Sequence, residues 1–251
     1  MQVLQKNFLP EHLGPLLIEN GIDGTVAVQA AHFESETEFL FKLADENEFI
    51  KGVVGWVDLT AVNVEERLEY YSQNKILKGI RHIIQDEPEE FIIRSDFLSG
   101  ISKLSKFGLT YDVVVREQQL PAAVNLVRQF PNQKFVLDHI GKPQLSGSIN
   151  TNWISDIREL SVLPNVCCKL SGMVTETKNF KWNKEDFLPV LDLVVNAFGT
   201  DRVMFGSDWP ICLLAAEYKE VLKIIEEYIA TFSINEQVKI LGGNTVAFYN
   251  L

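Results

Sequence analysis

A chain of 251 residues, 46% hydrophobic and 23% charged, has the composition of a globular enzyme and is long enough to bury a sizeable core. Its formal net charge of −11 and pI of about 4.9 disfavour nucleic acid as a partner, because an acidic surface repels phosphate backbones. No apolar run reaches the length of a membrane span, and the opening MQVLQKNFLPEH has no signal-peptide pattern, so a cytoplasmic protein without a membrane partner is expected.

The first element in chain order is a helix over 9–20, with Pro10 in its first turn and Gly21 as its stop. A β-rich run follows at 25–30 (TVAVQA). Ser35, with Glu38 three residues on, has the pattern of a capping box opening a helix to about Glu48. Strand and helix then alternate. Strands are expected at 53–58, 77–83, 109–115, 134–140, 166–170 and 202–206, and helices at 64–73, 96–107, 120–130, 153–160 and 186–198. Two further helices, 216–230 and 235–241, close the chain. The strands are near-continuous apolar runs, as in sheets buried on both faces, and their alternation with helices implies crossovers and a parallel sheet. No Gly-rich phosphate loop follows an early strand, which weighs against a dinucleotide fold. No linker or repeat divides residues 1–251, so a single domain is expected. A closed barrel needs eight strands and the pattern supplies seven, beginning on a helix. The reading is therefore a barrel of seven βα units with its first strand missing. Its exposed edges would favour self-association into a homo-oligomer.

Cys167, Cys168 and Cys212 suit reduced thiols, with no disulfide framework and no zinc spacing; the first two read as packing residues. In parallel barrels the site lies at the carboxyl ends of the strands. His32, His82 and His139, three of the four histidines, fall there, whereas His12 reads as an exposed helix residue. His139 (FVLDHIGKP) can ligate a metal or shuttle a proton, or merely cap its strand. Gly141 and Pro143 would turn the chain so that Lys142 approaches the mouth. Asp208 (MFGSDWP) can hold a metal or take a proton from water, or form an Asx turn. Arg81 and His82 are neighbours on one strand, so only one of them reaches the lumen. Lys169, in an apolar strand, is either a lumen lysine or, the favoured reading, a side chain extending between strand and helix. Trp209 could wall a substrate pocket, Gln29 ends the first strand, and Trp56, Trp153 and Trp182 read as core or surface aromatics.

Taken together, FLPEHLGPLL, GIDGTVAVQA, GIRHIIQDEP, LTYDVVV, FVLDHIGKP, NVCCKLSGM, MFGSDWP and GGNTVAFY resemble, in order and over the whole chain, the amidohydrolase superfamily. The nearest likeness is its lactonase-like branch, amidohydrolase family 2. The resemblance implies a distorted (β/α)8 barrel hydrolase acting on a small cyclic ester, foremost a sugar-acid lactone. In it Asp208 is the general base toward water and His139 the strand-end histidine. His82, Arg81 and Lys142 fall where the lactone carbonyl or acid groups would be met, with Trp209 and Gln29 as further substrate contacts. The cofactor implied is zinc or another divalent metal held weakly by His139 and Asp208, or none. The family's opening strand carries a His-x-His pair, placed upstream of Met1, and the sequence contains no such pair. Either the protein starts earlier, or the strand is lost and the barrel binds a small molecule without turnover. A related amide hydrolase or decarboxylase is the remaining reading.

Overall fold

The computed structural model describes residues 2–251. It contains one seven-stranded sheet, all parallel, in the order β1–β7 along the chain. The strands are β1 Thr25–Val28, β2 Ile50–Gly55, β3 Leu77–Ile83, β4 Thr110–Val114, β5 Phe135–Leu137, β6 Val166–Leu170 and β7 Val203–Phe205. Helices α1 Pro10–Glu19, α2 Glu34–Glu46, α3 Val64–Ser72, α4 Ser95–Leu104, α5 Leu120–Gln129, α6 Thr151–Ser161, α7 Leu188–Phe198 and α8 Tyr218–Ile229 alternate with them. Short helices α9 Ile234–Val238 and α10 Asn244–Tyr249 close the chain. Among the described residues, no helix is long and apolar enough to cross a membrane.

The sheet curls. Val54 on β2, Val136 on β5 and Met204 on β7 belong to one buried cluster, which a flat sheet could not assemble. Phe248 and Tyr249 from α10 fill the same interior, a helix absent from the sequence reading. The larger apolar layer lies outside, between sheet and helices. Among the described residues β1 and β7 each pair on one side only, so the barrel is open between them. All four β1 residues are accordingly half-buried, whereas β4 and β5 are buried throughout.

Three boundaries differ from expectation for identifiable reasons. Strand β2 ends at Gly55 because the Thr37 hydroxyl takes both backbone groups of Trp56, accepting from its N–H and donating to its C=O at 2.8 Å each. Helix α2 starts at Glu34, and the Ser35 capping box does not form; Glu38 instead accepts from the Tyr71 hydroxyl at 3.1 Å. Strand β5 stops at Leu137 because His139, Ile140, Gly141 and Lys142 all turn into the left-handed region.

Candidate active site

The strand phase decides which side chains enter the lumen. On β3, Ile80 and His82 face the helical layer and Arg81 faces inward. Arg81 Nη1 donates to Asp138 Oδ2 at 2.9 Å, Nε donates to Gln29 Oε1 at 3.2 Å, and Nη2 donates to the Gln29 carbonyl. Lys169 projects inward from β6, which overturns the favoured reading of it as a side chain lying between strand and helix. Its Nζ stands 2.5 Å from Asp112 Oδ2 on β4 and 2.7 Å from Asp138 Oδ1. The Tyr249 hydroxyl, brought up from below by α10, donates to Asp112 at 2.7 Å. Two cations and two anions thus form a neutral network across the barrel, with both carboxylates buried.

Such burial is tolerable only with opposite charge at hand. Burial pushes the Asp112 carboxyl up, against the pull of Lys169. Burial also acts on Asp138, but Lys169 and Arg81 together outweigh it and hold that group below the usual carboxylate range. Lys169 loses solvation in the same way, yet its two carboxylates keep its pKa raised and the side chain cationic.

Directly after Asp138, the left-handed turn carries His139. Its Nδ1 lies 2.9 Å from Ser171 Oγ and its Nε2 3.7 Å from Asp208 Oδ1. Non-glycine residues pay roughly 1–2 kcal/mol each to enter this region, and Ile140, at φ 49°, is β-branched as well. The turn is held by burial of Ile140 and by Trp153, whose indole N–H donates to the Ile140 carbonyl at 2.9 Å. Asp208 also adopts a left-handed φ of 54°, a conformation Asp tolerates. Burial lowers the His139 pKa and favours the neutral imidazole. The same turn ends at Lys142, whose ammonium donates to Glu176 at 2.9 Å.

The structure therefore brings together His139, Asp208 and Ser171, with Lys142 on the same turn. Trp209 follows Asp208, its ring packed edge-to-face with Phe8 at 5.3 Å. Gln29 is fully buried beneath Arg81, with its amide oxygen already engaged. His82 belongs to a different cluster: it stacks on His32 at 4.0 Å and on Phe91 at 4.6 Å. No hydrogen bond or ion pair joins it to His139 or Asp208 among the described residues.

Two arrangements could be weighed for a metal. His32, His82 and Glu87 have ligand atoms within 4.8 Å of one another. Yet Trp56 Nε1–H donates to His82 Nδ1 at 3.1 Å, so the His82 proton sits on Nε2, 2.9 Å from Glu87. His32 Nε2 likewise accepts from the Ile83 N–H at 2.9 Å. Neither imidazole keeps a free lone pair, and stacked rings do not converge on one ion. The separation of 3.7 Å between His139 and Asp208 would suit a shared ion. However, no third His, Cys or carboxylate atom completes that group within 4.8 Å among the described residues. A catalytic zinc takes three protein ligands, so the residues present do not fit a tightly held one.

Sequence reading missed Asp112, Glu176, Glu87 and Tyr249. Asp112 had a signal: it is the one charge in LTYDVVV, and a charge in a buried strand needs a partner. Glu176 and Glu87 lie in loops whose paths no local pattern fixes.

A curled parallel sheet wrapped by helices, with a histidine and a carboxylate converging at the strands' carboxyl ends, defines a β/α-barrel protein with a polar cluster where such barrels carry their sites. The chain belongs to the amidohydrolase family, whose pattern it matches over residues 2–251, and it is a hydrolase. It is 38% identical to an L-fucono-1,5-lactonase of Burkholderia multivorans over 266 aligned positions, covering 100% of this chain and 88% of that protein. It is 30% identical to an L-fucono-1,5-lactonase of Burkholderia ambifaria, again over 100% of this chain and 88% of the relative. A crystal structure of a Burkholderia multivorans amidohydrolase with bound Zn superposes with a TM-score of 0.96 at 38% identity, covering 100% of this chain and 91% of that one.

Proposed function

We propose that the protein hydrolyses a sugar-acid lactone, with Asp208 as the base toward water and His139 as its partner. The carrying observation is the separation of 3.7 Å between His139 Nε2 and Asp208 Oδ1. That is too long for a direct hydrogen bond and short enough for one water to touch both groups. The water oxygen attacks the lactone carbonyl carbon while its proton passes to the Asp208 carboxylate. Collapse of the tetrahedral adduct breaks the ring C–O bond, and the leaving oxygen recovers that proton, giving the open hydroxy acid.

His139, kept neutral by burial, can orient the water or donate to the carbonyl oxygen, with Ser171 fixing its ring. Lys142 faces the carbonyl or the nascent carboxylate, the Arg81 guanidinium, held by Asp138 and Gln29, forms the floor beneath, and Trp209 walls the pocket. His82 is assigned to the packing between β3 and the helical layer rather than to the reacting atoms, because both its nitrogens are engaged there. The 38% identity to a named fuconolactonase supports the substrate class. The seam between β7 and β1 is where a further strand, the first of a closed barrel, would pair, beside the loop that carries Asp208.

The test is Asp208→Asn. General-base loss should cut lactone turnover by about 10²–10⁴-fold while the circular dichroism spectrum and melting temperature stay close to wild type. Retained turnover refutes the role given to Asp208, and saturable lactone binding by the wild type without turnover refutes the hydrolase mechanism itself.

A further inference from the structure

A cleft of about 680 Å³ lies between the loop after β5 and the loop after β6. Gln144 and Ser146 line it from the first loop, and Thr175, Glu176, Thr177 and Lys178 from the second. These side chains all carry polar groups, and Gly147 completes the lining. The Thr175 hydroxyl donates to the Gly172 carbonyl at 2.9 Å and the Thr177 hydroxyl to that of Val174 at 2.8 Å. With their protons spent, these oxygens offer only lone pairs to a ligand. Glu176 Oε1 accepts from Lys142, and Oε2 has no protein hydrogen bond among the described residues. A ligand with several hydroxyl donors suits such a wall, and Gln144 and Lys178 add donors for its oxygens. Glu176, on the wall of the cleft, accepts at 2.9 Å from Lys142, which ends the turn that carries His139.

We infer that this cleft is the subsite for the hydroxyl-bearing carbons of the lactone, with Glu176 as the specificity-determining residue. The inference rests on the hydrolase reading above. It separates recognition of the polyol, in the cleft, from ring opening at His139 and Asp208. The binding partner is defined by its chemistry, as a neutral ring bearing several hydroxyls.

The experiment compares kcat/KM on L-fucono-1,5-lactone and on unsubstituted δ-valerolactone for wild type, Gln144→Ala and Glu176→Gln. Among the described residues the Gln144 side chain makes no hydrogen bond to Lys142, so Gln144→Ala leaves the Lys142–Glu176 ion pair in place. Each substitution should lower the ratio of the hydroxylated to the plain lactone, by about tenfold for the charged Glu176. A ratio that stays at the wild-type value in both variants overturns the inference, because a merely structural role lowers both substrates alike. If wild type opens neither lactone, the hydrolase reading falls and calorimetric titration with L-fuconate decides. Binding that is weakened in both variants sustains the cleft. Unchanged or absent binding overturns it.

Discussion

Gly172 offers the sharpest test of how the His139 imidazole is placed. It follows Ser171 at φ +69°, and a Cβ built there would lie 2.7 Å from His139 Cβ, Cγ and Nδ1. Gly172→Ala should therefore cost stability twice. The left-handed backbone costs about 1–2 kcal/mol with a side chain, and forcing a methyl against a packed ring costs about 1–3 kcal/mol more. Gly108 supplies the control, since it has the same φ of +69° but nothing within 4 Å of an added Cβ. Gly108→Ala should show the backbone cost alone. In urea unfolding the difference between the two variants then measures the clash, expected at about 1–3 kcal/mol. Because His139 must yield, lactone turnover should drop by about 10²-fold in Gly172→Ala, the usual consequence of an ångström's misplacement, and stay near wild type in Gly108→Ala. Equal losses of stability together with intact turnover in Gly172→Ala would refute the argument that the glycine exists to admit the imidazole.

Two further substitutions probe the buried groups. Lys169→Met leaves the buried Asp112 carboxylate with the Tyr249 hydroxyl but no cation, and Asp138 with Arg81 alone, and should destabilise the fold by about 3–5 kcal/mol in urea. Adding Asp112→Asn should recover part of that, and a loss under about 1 kcal/mol from Lys169→Met would contradict the network. His82 tests linkage: burial lowers its pKa below the ordinary 6.5, so on acidification the unfolded chain takes up this proton first. Its contribution is present above pH 6.5 and is lost as pH falls toward the lowered value. The plot of unfolding free energy against pH between 6.5 and 5 should therefore be flatter in His82→Gln than in wild type, and an unchanged slope would show that His82 titrates alike in both states.

The alternation of strands and helices was legible because buried parallel strands leave uninterrupted apolar runs. Seven of them stood out, and β3 and β6 were bounded to the residue. Their carboxyl ends identified His139, Asp208, Arg81 and Lys142 as candidates before any coordinates. What failed was the reading of tertiary effects. The Thr37 hydroxyl that ends β2 lies 19 residues away, and no period in VVGWVD reports it. Lys169 was misassigned because its strand was judged alone. Read together with Asp112, whose segment is equally apolar, a lysine and an aspartate facing one lumen form the pairing that makes each burial tolerable. His82 drew attention as a strand-end histidine, but the two-residue period gives inward and outward phases without saying which is which. Only the partners of Arg81 settle it.

The charge layout bears on turnover as well as on folding. Below the His139–Asp208 pair the lumen sums to zero, with Arg81 and Lys169 against Asp112 and Asp138. A lactone is neutral, so it enters without electrostatic penalty, and no unpaired lumen cation waits to hold an anion once the ring opens. The product is a carboxylate formed inside a chain of net charge −11. A neutral floor inside a chain of that net charge favours release of the anionic product over the neutral ring. Lys142 ends the turn that carries His139, and its ion pair with Glu176 at 2.9 Å offsets its attraction for the new carboxylate.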